Sequence, residues 1–67
     1  MKTIRYIMRV KEVGDPDRKA WNESITSDVE DDVTPEQDAR DMIAYFNKTI
    51  HHEGEKRREF ISLVVRK

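Results

Sequence analysis

TPEQDARDMIAYFNKTIHHEG, residues 34–54, reads as a helix with a marked start and a marked end. Thr34 can accept a hydrogen bond from a free first-turn N–H, and Gln37 stands three residues on, as a capping box requires. Pro35 takes the first helical position, where its missing N–H costs nothing. Ala39, Met42, Ile43, Phe46 and Ile50 recur at helical spacing and form one apolar stripe. Gln37, Arg40, Asp41, Lys48 and His51 occupy the opposite side. Gly54 can adopt the left-handed conformation that ends a helix. A helix of about 20 residues spans roughly 30 Å, and the rest of the chain must supply a surface for its stripe.

Working outward, residues 3–13 alternate as a strand does. Ile4, Tyr6, Met8 and Val10 take one face; Thr3, Arg5, Ile7, Arg9 and Lys11 take the other. Gly14-Asp15-Pro16-Asp17 is a turn. Residues 19–27 form a weaker strand around Trp21 and Ile25, polar enough to lie at a sheet edge. Beyond the helix, residues 59–66 alternate again. Ile61, Leu63 and Val65 are expected on one face, with Phe60, Ser62, Val64 and Arg66 on the other. The predicted fold is α+β with the order β-β-α-β. It is a three-stranded antiparallel sheet in the order 2-1-3, its outer strands parallel to each other, with one helix on one face. The predicted core is Ile4, Tyr6, Met8, Val10, Ala39, Met42, Ile43, Phe46, Ile50, Ile61, Leu63 and Val65, with Trp21 or Ile25 from the edge strand.

The 67 residues make one small α+β domain, 1–67, whose limited core leaves room for stabilisation by oligomerisation. With no Cys, neither a disulfide nor a zinc–thiolate site is available. The net charge of -1 gives no overall attraction to nucleic acid or anionic membrane. No apolar run approaches the length of a membrane span, and no signal peptide is evident, so a cytoplasmic protein is expected.

The second sheet face carries the functional expectation. Ile7, Phe60 and Val64 are placed there, ringed by Arg5, Arg9, Arg58 and Arg66. Apolar residues rimmed by charge commonly mark an interaction site. The first reading is a non-enzymatic protein-interaction module that pairs with itself or another protein through this face, in an accessory or regulatory role. A second reading uses the same arginines on phosphates, with Phe60 stacking on a base. The plainer account is that scattered exposed apolar side chains are normal on any surface.

A third reading rests on the acidic run Asp28, Glu30, Asp31 and Asp32, which could dock on a basic partner or imitate phosphates. It lacks the alternation and glycine of a calcium loop. Solvated acids before a helix N-terminus account for most of it. His51-His52-Glu53 does not give the i, i+4 spacing of helical metal ligands. No phosphate loop, Cys nucleophile or G-x-S-x-G elbow is present, so neither catalysis nor a cofactor is expected.

Overall fold

The computed structural model describes residues 1–49 and 56–66. Strand β1 is Lys2–Glu12, β2 is Trp21–Val29, helix α1 is Pro35–Lys48 and β3 is Arg58–Val65. The sheet order is β2-β1-β3, with both outer strands antiparallel to β1, and α1 packs on one face. This is the α+β arrangement that the alternation and the helix signals predict. The connection between β1 and β2 opens on Gly14, whose φ of 94° lies in the region that favours glycine. A 3₁₀ turn at Asp17–Lys19 completes it.

The helix starts as its sequence requires. Thr34 is extended, and its Oγ1 accepts the Gln37 N–H at 3.2 Å. The end differs from expectation. The last helical residue is Lys48, and Thr49 caps it, donating its Oγ1–H to the Tyr45 carbonyl at 2.9 Å. A β-branched hydroxyl that bonds back to the preceding turn competes with continuation of the helix. Ile50, placed in the stripe, and Gly54, placed at the helix end, lie outside the described residues.

Ile4, Tyr6, Met8 and Val10 from β1 meet Ala39 and Ile43 from α1 in the buried core. Trp21, Ile25, Val29, Met42, Phe60 and Leu63 pack around them. Of the other predicted core members, Phe46 is half-buried against Arg58, and two are exposed. Ile61 is 38% exposed and Val65 is 53% exposed. The cause for Ile61 is a β-bulge. Arg9 pairs with Ser62 while Val10 pairs with Phe60, so Ile61 is the extra residue of β3. Val65 has a different cause. It lies opposite Tyr6 on the outer strand β3, beside the start of α1 where Asp38 reaches Tyr6, and among the described residues no further strand covers its outer side.

Two polar contacts fix the helix on the sheet. The buried Tyr6 hydroxyl donates to Asp38 Oδ2 at 2.6 Å, and Ser27 Oγ donates to Asp38 Oδ1 at 3.2 Å. One carboxylate thus joins α1 to both β1 and β2. At the other end, Asn47 clasps the backbone of Arg58. Its Nδ2 donates to the Arg58 carbonyl at 2.9 Å, and its Oδ1 accepts the Arg58 N–H at 2.7 Å.

Candidate interaction surface

The open sheet face is built from the odd-numbered residues of β1 and their partners. Ile7 lies between Ser24 of β2 and Val64 of β3. Arg9 lies between Asn22 and Ser62, and Arg5 lies beside Thr26. The Arg66 N–H donates to the Arg5 carbonyl at 3.0 Å, which extends the β1–β3 ladder by one residue. Val64 is 67% exposed, whereas Ile7 is half-buried. A shallow groove of about 330 Å³ runs between Ile7, Arg9 and Val64.

Polar contacts occupy much of the remainder. Arg9 donates to Asn22 Oδ1 at 3.2 Å, and Thr3 donates to Asp28 Oδ1 at 2.7 Å. Lys11 Nζ lies 2.7 Å from Asp17 Oδ1 and 4.0 Å from Glu59 Oε2. The hydrogen bond to Asp17 is the main reason that the Lys11 pKa is raised, and the same bond lowers that of Asp17.

Two of the expected face residues are elsewhere. Because Ile61 is inserted, the residues before it exchange faces. Phe60 pairs with Val10 and packs against the core, with the Arg40 guanidinium 4.8 Å from its ring centroid. Arg58 pairs with Glu12 on the helix side. Its guanidinium lies 3.8 Å from the Phe46 ring centroid and 5.3 Å from that of Trp21. Trp21 Nε1 donates to Glu23 Oε1 at 3.0 Å, and the same oxygen lies 3.5 Å from Arg58. Arg58 is thus part of the packing between the helix and β2. Ile7, Val64, Arg5, Arg9 and Arg66 remain together on the open face, without the aromatic that base stacking requires.

Of the acidic residues, Asp28 sits on this same open face, opposite Thr3. Glu30, Asp31 and Asp32 follow in the turn toward α1, and all four are exposed. Asp38, a further acid in the first turn of α1, is the partner of Tyr6 and Ser27. The only sequence signal for that role is Tyr6 itself, a hydroxyl in an apolar stripe that must find an acceptor when buried.

Among the described residues, no group of three or more His, Asp or Glu side chains could hold a metal ion. His51, His52 and Glu53 lie outside them. No helix among the described residues is long and apolar enough to cross a membrane. No family model matches the chain, and neither a curated protein nor a solved structure is significantly similar to it.

Proposed function

We propose that this chain is a small, non-enzymatic protein-interaction module that acts as a homodimer. Its contact surface is centred on Val64 and continues to Ile7. The observation that carries this reading is the cross-strand pair Ile7–Val64 on the open face, with Val64 largely exposed at the sheet margin. An apolar cluster of this kind, rimmed by Arg5, Arg9 and Arg66, is a common interface composition. A chain of this length also gains most from burying further apolar area.

The nucleic-acid reading loses support, because Phe60 and Arg58 belong to the helix side. The acidic-surface reading gains no second observation beyond exposure. The deciding experiment is solution mass by light scattering across concentration, at low and high salt. Apolar association persists in high salt, whereas charge-driven association weakens. A mass that rises to twice 8.0 kDa and falls back in Val64→Lys supports the reading. A monomer at every concentration overturns it.

A further inference from the structure

We infer that the outer edge of β3 pairs with the same edge of a second copy, antiparallel and centred on Val64, joining two sheets into one. This rests on the self-association reading above, keeps Val64 at its centre, and places the direct contact along the β3 edge, with Ile7 one strand away from it.

The two sheet edges differ in kind. The exposed side chains of β2 are Asn22, Ser24, Thr26 and Asp28, all polar and all on the open face, a composition that discourages strand addition along β2. β3 instead exposes Ile61, Val64 and Val65. Its edge is also divided. At Arg58 the Asn47 amide takes both backbone groups, as a neighbouring strand would. Toward the other end, the Arg66 N–H points to β1. Alternation therefore aims the N–H and C=O of Val65 and Leu63 outward. Among the described residues, no side chain clasps these two as Asn47 clasps Arg58.

The sequence of β3 selects the register. Centring on Ser62 would oppose Phe60 and the partner's Val64, which the bulge places on different faces. Centring on Arg66 would oppose two guanidinium groups. Centring on Leu63 would set Val64 against the partner's Ser62. Centring on Val64 sets Val64 against the partner's Val64, Leu63 against the partner's Val65, and Ser62 against the partner's Arg66. Each of these pairs lies on one face, and no like charges meet. The Leu63–Val65 pairs then exchange the N–H···O=C bonds that both strands hold outward. On the open face, each copy's Ile7 and Val64 merge into one apolar strip across the joined sheet. The paired segment, residues 62–66, is short and falls well below the ~1,200 Å² of a standard interface, so the dimer is reversible and concentration-dependent.

The test uses the absence of native Cys. Val64 and the partner's Val64 form a non-hydrogen-bonded pair about 4.5 Å apart at Cα, within the reach of a disulfide. Val64→Cys should therefore cross-link under mild oxidation on a non-reducing gel, while Ile7→Cys should not. Face-to-face stacking would hold the sheets about 10 Å apart and cross-link neither. Val65→Pro removes an outward N–H and leaves the β1 pairing intact. It should lower the association constant about tenfold or more while far-UV circular dichroism is unchanged. If Val65→Pro unfolds, the cross-linking result alone decides. A dimer by light scattering that does not cross-link through Cys at position 64 overturns the edge geometry and leaves self-association standing. A monomer at every concentration removes both.

Discussion

Tyr6→Phe removes one oxygen from the centre of the molecule. Tyr6 is 0% exposed, and its hydroxyl reaches Asp38 Oδ2 at 2.6 Å. A hydrogen bond to a charged acceptor contributes about 1.5–3 kcal/mol. Asp38 is only half-buried and keeps Ser27, so water can replace part of the loss, and the expected cost is about 1.5–2 kcal/mol. For a domain of this size that lowers Tm by roughly 6–16 °C. Urea unfolding followed by the single Trp, with far-UV circular dichroism as a second probe, gives the number directly. The pH dependence is a separate check. Burial first, then the hydrogen bond and charge of Asp38, raises the Tyr6 pKa above the ordinary phenol value. The folded state therefore holds this proton more tightly than the unfolded chain. The stability it provides is fully present below about pH 10 and falls above it by ~1.4 kcal/mol per pH unit. Lys11 also has a raised pKa and adds alkaline loss to both proteins, so the difference between them isolates Tyr6. A cost under about 0.5 kcal/mol, or identical alkaline slopes in the two proteins, would refute the role given to this bond.

Asn47→Ala leaves the Arg58 N–H and C=O to water and should cost about 1–3 kcal/mol in urea; Asn47→Asp, which keeps only the acceptor, should fall between. Thr34→Ala removes the acceptor for the Gln37 N–H and should cost about 1 kcal/mol by thermal melting, whereas Thr34→Ser should cost little. Arg58→Ala strips the guanidinium from Phe46 and Trp21; it should lose about 1 kcal/mol and shift Trp emission to the red, with Arg58→Lys recovering only part of both. Unchanged emission in Arg58→Ala would show that the cation does not shield Trp21.

The parts of the fold that rest on local chemistry are legible in the sequence. Thr34, Pro35 and Gln37 announce a helix start, and the structure puts the cap there. Ile4, Tyr6, Met8 and Val10 alternate cleanly against polar neighbours, and all are buried. The last strand is different. Phe60, Ile61, Leu63, Val64 and Val65 are apolar on both sides of any alternation, so period two alone does not reveal an inserted residue. Phe60, Leu63 and Val65 share a face only if Ile61 is skipped. That skip moved Phe60 and Arg58 off the open face and left Ile7 and Val64 on it. The helix end was illegible for a related reason. Thr49 is an unremarkable residue in the stripe pattern, and only its bonds to the Tyr45 and Phe46 carbonyls show it as a cap. Asp38 was hidden among neighbouring acids, since its role depends on Tyr6, distant in the chain.

The Asn47 clasp also bears on the order in which the chain folds. It joins residues only 11 apart in sequence, whereas the β1–β3 ladder joins Tyr6 to Val65, almost the length of the chain. Loop closure grows more costly with separation, so the nearer contact forms with less entropy lost. A helix already holding the first residue of β3 would present that strand to β1 in one orientation. Asn47 substitutions should then slow refolding more than they speed unfolding, a pattern that stopped-flow chevrons measure. Equal refolding rates with faster unfolding would instead place the clasp after the rate-limiting step.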